Sequence, residues 1–183
     1  MLVDRKREKL LNAILFFKQN TLNCGKIKLY KLLYFLDFAH YSETGRSVTG
    51  LDYFAWDRGP VPKALEDEIH KPNEDMAEKM EFRFSQQGTW EILEIIPKSE
   101  CSLEFFSKRE RRLMERLVEV FKYSDANQMI KATHLKNQPW DFVYNDLDAQ
   151  YEKIPYELVL EAEDKEEILA LAKESKEVWD NYA

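Results

Sequence analysis

The chain has 183 residues, 44% of them hydrophobic and 13% aromatic, enough to bury roughly 70% of the surface of the unfolded chain in one core without a metal or disulfide staple. Its net charge of −7 and pI near 5.2 exclude indiscriminate phosphate binding, because each backbone contact needs a cation and the overall field repels nucleic acid. Cys24 and Cys101 stand outside any CxxC or Cys/His spacing and fit a reducing compartment.

The charge is unevenly spread: residues 1–31 carry eight Lys/Arg against two acids, whereas residues 151–183 carry ten acids against four Lys. The opening Met1–Arg7 leads into amphipathic sequence interrupted by Asn12, Lys18 and Gln19, and no apolar run approaches the ~18 residues of a membrane span. A cytoplasmic protein is expected.

From Asp4 to Asn20, Leu10, Leu11, Ile14, Leu15 and Phe17 recur near helical period and predict a first helix. A second runs from about Lys26 to Thr44, with Leu29, Leu32, Leu33, Leu36 and His40 on one stripe and Gly45 as its stop. The basic residues of these two helices could suggest a helix-turn-helix. A recognition helix, however, needs polar side chains aimed at base edges, and this one would expose Tyr30, Tyr34 and Phe38 beside its lysines. A central buried helix with a solvated lysine rim is expected, and a nucleic-acid-binding regulator is the minor alternative.

Ser47–Trp56, rich in β-branched and aromatic residues, predicts a short strand or extended segment leading into a turn at Asp57–Pro62, and a third helix spans about Pro62–His70. Alternation in Met80, Phe82, Phe84 and then Trp90, Ile92, with Leu93 and Ile95, predicts a β-hairpin within Glu78–Pro97 around Gln86-Gln87-Gly88. Ser107 and Glu110 form a capping box ahead of a helix over Lys108–Tyr123, and Ser124 or Asp125 starts another ending near His134. Lys136–Pro155 is mostly loop. An acidic helix over about Asp164–Asn181 follows, supported by pairs such as Glu161–Lys165 and held to the core by Leu169, Leu171 and Trp179; as an alternative, its charge would steer a basic partner. The sum is an α+β fold, predominantly helical, one compact domain over residues 1–183 with a small antiparallel β-hairpin or sheet.

Chemical motifs are few. Gly45–Gly50 matches neither a phosphate loop nor a nucleophile elbow. Asp37/His40 and Asp67/His70 are D-x-x-H pairs that put acid and imidazole on one helix face, the spacing from which a metal-dependent enzyme could be built. Asp is shorter than the Glu such sites use, His40 continues an apolar stripe, and His70 sits where a helix C-terminus favours a cation. No catalytic residue, metal or cofactor is therefore expected, although pairing of a cysteine with His134 in the folded chain stays open.

Lys31-Leu32-Leu33-Tyr34-Phe35, Gly45-Arg46, Trp56, Gly59-Pro60-Val61-Pro62, and then His134 with Pro139-Trp140 occur in an order and spacing that resembles the Panacea-domain family, the SocA-like and phage-associated GepA-like proteins. The resemblance covers about Leu10–Tyr144; the tail after Tyr151 lies outside it. It implies an α-rich antitoxin paired with a toxin encoded beside it. Direct neutralisation is the common mode, while a SocA-like member instead delivers its toxin to an AAA+ protease as a proteolytic adaptor.

The residues add a physical reading. Pro60 and Pro62 stiffen their turn and lower the ordering cost of a contact made there. Tyr53, Trp56 and Trp140 are large amphipathic side chains that serve either as core or as interface anchors. The expected partner-binding patch comprises Lys31, Tyr34, Trp56, Arg58, Gly59, Pro60, Val61, Pro62, Lys63, His134 and Trp140.

Overall fold

In the computed structural model, which describes residues 5–161 and 163–182, helix α1 (Lys6–Asn20) packs against helix α2 (Lys26–Thr44) at the centre of the molecule. The predicted helical start at Asp4 lies outside the described residues. Every residue of α1 from Leu10 to Phe17 is buried, including Asn12. Far from merely interrupting the apolar run, Asn12 donates to Glu8 O at 2.9 Å and accepts the Ser102 N–H at 2.7 Å, which pins the segment ahead of α5.

Helix α2 is buried on nearly every side, with only Phe35 and Ala39 partly open between Lys28 and Tyr41, as befits a helix enclosed by others. Two expectations are corrected here. Tyr30, Tyr34 and Phe38 are buried, not exposed, and Lys28 and Lys31 lie in the interior instead of forming a solvated rim. The reason is that an ammonium can enter a core when carbonyls saturate its donors: Lys28 Nζ donates to Leu22 O, Lys122 O and Ser124 O at 2.8–3.0 Å. That single side chain ties the α1–α2 loop to the end of α5.

Asp37, fully buried, does the same with the opposite charge. Its carboxylate accepts the Val48 and Thr49 N–H groups at 2.8 and 2.7 Å, the Thr49 hydroxyl, and the Tyr53 hydroxyl at 2.7 Å. The bonded stretch Val48-Thr49 is therefore a loop wrapped on a side chain, and the predicted strand begins only at Tyr53. Gly45 ends α2 at φ +68°, and a Cβ there would meet Ile168 O at 2.7 Å and the Ala172 Cβ at 2.9 Å, so left-handed backbone and close approach both require glycine.

Strands β1 (Tyr53–Trp56) and β2 (Gly59–Pro62) pair antiparallel with Trp56 opposite Gly59, so the expected turn over Asp57–Pro62 shrinks to Asp57-Arg58. On the other side of β1 runs a strap, 151–154: Tyr151 N donates to Ala55 O, Ala55 N to Glu152 O and Ile154 N to Tyr53 O. The prolines of β2 thus occupy an edge strand, where a missing N–H costs nothing and blunts the edge.

Helices α3 (Lys63–His70) and α4 (Glu74–Lys79) follow. Periodicity did not predict α4, which is barely two turns long and carries one buried side chain, Met76. Arg7 of α1 forks onto Glu68 and Asp75 at 2.6–2.8 Å and fixes both helices. Strands β3 (Met80–Gln87) and β4 (Trp90–Pro97) form a second two-stranded sheet. Its core face takes Met80, Leu93 and Ile95, whereas Trp90 and Ile92 lie on the opposite, exposed face; the register at Gln87–Trp90 sets that phase.

Helix α5 (Lys108–Phe121) starts at the predicted capping box of Ser107 and Glu110, and α6 (Ala126–Thr133) at one made by Asp125 and Gln128. The segment predicted as loop contains α7 (Pro139–Asp141), which continues into a π-helical turn over Phe142–Asp146, and a 3-10 turn covers Tyr156–Val159. Helix α8 (Lys165–Tyr182) meets the body through Ile168 and Ala172; Leu169 is half-buried, Leu171 is exposed, and the Trp179 side chain lies outside the described residues. Glu161 precedes α8 instead of lying on it. The architecture is α+β and predominantly helical, with one apolar cluster that reaches from Leu10 to Ile154. Among the described residues no helix is long and apolar enough to cross a membrane.

Asp37→Ala should cost at least about 3 kcal/mol in urea unfolding, since it strands two backbone and two hydroxyl donors in a dry interior. A loss below about 1 kcal/mol would mean that the loop finds other acceptors.

Candidate partner-binding site

The predicted patch has an inner and an outer part. The inner part centres on Lys31, which is 1% exposed and donates to Pro60 O at 2.8 Å. Burial, with the charge of Arg58 in support, pulls its ammonium down to about 7. Gly59 arches over this group at φ +98°; a Cβ there would lie 2.7 Å from Thr133 Oγ1 and 2.9 Å from Lys31 Cε and Nζ. Only glycine lets β2 approach α2 and the end of α6 this closely. Tyr34, one helical turn along α2, packs on Phe38 and edge-on to Tyr53, and burial pushes its phenol up against the opposing effect of the Trp140 backbone. All of β2 is buried, so Lys31, Tyr34 and Gly59–Pro62 support the hairpin from beneath.

From there a stack of rings leads outward. His134 lies face to face with Trp140, centroids 3.7 Å apart and planes 2° from parallel, and Trp140 stacks on Tyr144 at 4.6 Å and 16°. Trp140 is buried, and its indole N–H donates to Trp56 O at 3.0 Å, which fixes the end of β1. His134 Nε2 is buried without a hydrogen-bond partner among the described residues. Burial holds the imidazole below its ordinary pKa, aided by the charge of Lys31 and opposed by Asp141, so a neutral ring is stacked there.

At the surface the stack ends on Asp57. The Tyr144 and Tyr151 hydroxyls both donate to Asp57 Oδ1 at 3.0 Å, and Tyr151 meets the half-buried Trp56 edge-on at 6.0 Å. Arg58, the other turn residue, lies 4.0 Å from the Trp90 ring centroid, and Lys63 pairs with Asp67 on exposed α3. The structure thus gathers ten of the predicted residues around one hairpin, with Arg58 exposed and Trp56 half-buried, and Lys63 just beyond it on α3. Asp57, Thr133, Tyr144 and Tyr151 were missed. Trp140 and Tyr144 have a legible i,i+4 spacing for ring stacking; Tyr151 reaches the site through strap pairing, which leaves no local pattern.

The D-x-x-H pairs diverge. Asp37 is committed to the Val48–Tyr53 loop, while His40 Nδ1 bonds Arg46 O at 2.7 Å. His70 stacks on Phe84 of β3. Among the described residues no group of three His, Cys, Asp or Glu side chains is placed to hold a metal ion.

The family model for the SocA-like antitoxin, Panacea domain, matches residues 29–141, from α2 to the end of α7. The chain belongs to this family. No curated protein and no solved structure matches it. The Panacea match contains every residue of the predicted patch, whereas α1, the strap and α8 lie outside it although α1 completes the same core.

Two tests address the inner part. Gly59→Ala should destabilise the Panacea domain by roughly 2–4 kcal/mol in chemical unfolding, from overpacking plus left-handed strain. A depressed lysine favours the neutral folded form, so between pH 7 and about 8.5 the unfolded chain binds more protons and stability rises with pH. Lys31→Met should flatten that rise in a series of unfolding curves; an unchanged slope would mean that Lys31 titrates normally.

Proposed function

We propose that this chain is a cytoplasmic antitoxin that acts as one unit, binding and neutralising a toxin encoded beside it and catalysing no reaction. The match to the SocA-like antitoxin, Panacea domain over residues 29–141 carries this reading. The distribution of the cations supports a protein partner over nucleic acid. Arg7, Lys9 and Lys26 pair with Glu68 and Asp75, Glu110, and Glu66 and Glu91, and Lys28 and Lys31 are consumed by internal carbonyls, so the basic first segment offers few charges to phosphates.

Partner contact is assigned to the predicted patch, with its residues divided by task. Lys31, Tyr34, Gly59, Pro60, Val61, Pro62, His134 and Trp140 hold the β1–β2 hairpin rigid, and Trp56, Arg58 and Lys63 present the outward surface. Rigidity of that kind reduces the entropy lost on binding.

The reading is tested by expressing the neighbouring open reading frame alone and together with this chain. Toxicity alone, rescue on co-expression and recovery of a complex are expected. Rescue with loss of the neighbour that depends on an AAA+ protease would replace neutralisation by the adaptor mode, and a harmless, unbound neighbour would refute the antitoxin reading. In the complex, Arg58→Glu with Lys63→Glu should weaken affinity roughly tenfold or more with an unchanged melting temperature; full retention would move the contact to another face.

A further inference from the structure

We propose that Asp57, Tyr144 and Tyr151, beside the half-buried Trp56, form the anchoring point for an arginine side chain on the partner, a proposal that rests on the antitoxin reading for the partner's identity. None of the three belongs to the patch predicted from sequence.

The chemistry is that of a guanidinium receptor. Both tyrosine hydroxyls donate to Oδ1 of Asp57 at 3.0 Å; among the described residues no donor reaches Oδ2. The carboxylate therefore stands at the hairpin apex with an acceptor open to solvent, flanked by aromatic rings. A cation that bonds a carboxylate while lying against tyrosine faces gains from both contacts. Arginine suits this better than lysine, because its planar fork can bond the acid and stack at once.

The surroundings favour a cation as well. Residues 141–152 contribute Asp141, Asp146, Asp148 and Glu152 and no lysine or arginine. The cations that flank the turn and the strap in sequence have contacts of their own: Arg58 lies over Trp90, and Lys153 pairs with Asp52 at 2.8 Å. An incoming arginine thus meets a carboxylate with which neither of these cations is paired, beside a stretch rich in acids.

The arrangement is also costly to hold if its only purpose is to staple the strap. Tyr151 sits at φ +67°, left-handed backbone that a bulky side chain rarely adopts, and its amide is held to Ala55 O at 2.7 Å. Tyr151 is 56% exposed. Burial therefore does not explain why a tyrosine is fixed there, whereas presentation of its ring and hydroxyl beside an acid does. Tyr144 is fixed from behind by the stack on Trp140 and His134, so the receptor is organised before a partner arrives.

Two experiments on the full chain test this. In the complex with the neighbouring gene product, Asp57→Asn keeps size and turn geometry and should raise Kd roughly tenfold or more, with a shallower salt dependence and an unchanged melting temperature; Tyr151→Phe should give a smaller loss. Affinity within about twofold of the parent for Asp57→Asn would overturn the anchor and leave the antitoxin reading standing. Separately, N-acetyl-arginine amide and its neutral citrulline analogue are titrated into the isotope-labelled chain alone. Amide shifts at residues 56–58, 144 and 151 with the arginine compound only, lost in Asp57→Asn, are expected. Equal shifts with both compounds, or shifts elsewhere, would overturn the anchor. If the neighbouring protein fails to bind the parent chain at all, the antitoxin reading falls and this titration alone decides the anchor.

Discussion

Three ionisable side chains carried into the interior by α2 organise the rest of the molecule. Lys28 donates to one carbonyl of the α1–α2 connection and two of the α5–α6 connection, Lys31 holds β2 through Pro60, and Asp37 gathers the backbone of the loop before β1. Each group is buried and held by directed hydrogen bonds, Lys28 and Asp37 to connections without regular structure and Lys31 to the strand β2. The apolar stripe of α2 explains why the helix is central; its charges explain why the surrounding loops take one arrangement.

The β1–β2 hairpin depends on this scheme most. It is short, and a two-stranded ribbon is marginal by itself. Here it is fixed on three sides: Lys31 beneath Pro60, Trp140 at Trp56 O, and the strap along β1. Gly59 allows the first contact because its missing Cβ leaves room for Thr133 and the lysine amine. The cluster of Gly, Pro, Trp and Lys read from the sequence is therefore mostly the mounting of a surface, and the surface is the apex that it carries.

Much of this was legible because it is written in local chemistry. The capping box at Ser107, a cap at Asp125, the glycine stop at Gly45 and the β3–β4 alternation are each legible in residue type and place, and each lies near where it is predicted. What escaped was tertiary. The destination of a lysine depends on carbonyls about 30 to 100 residues away, as for Lys31 with Pro60 and Lys28 with Ser124, and no periodicity records it. The phase of β4 is similar: Trp90 and Ile92 have as strong a claim to the core as Leu93 and Ile95 until the register decides. Asp57 and Tyr151 lie in a turn and a strap, where composition alone reads as solvent.

The same accounting of charges bears on partner choice. In composition the first segment is basic and the whole chain mildly acidic, which leaves the sign of any binding surface undecided. In the fold, Arg7, Lys9, Lys26, Lys28 and Lys31 are spent on carboxylates and carbonyls of the chain itself. The acids along 141–152 have no such partners in their own stretch of chain. The hairpin apex therefore joins the Asp57 carboxylate and the exposed Arg58 cation, a mixed surface that composition does not reveal. Partner choice then rests on the local pattern of charge and not on its sum: cations at Arg58 and Lys63 stand beside a carboxylate held between tyrosines, and the fit of each is a geometric filter on the partner.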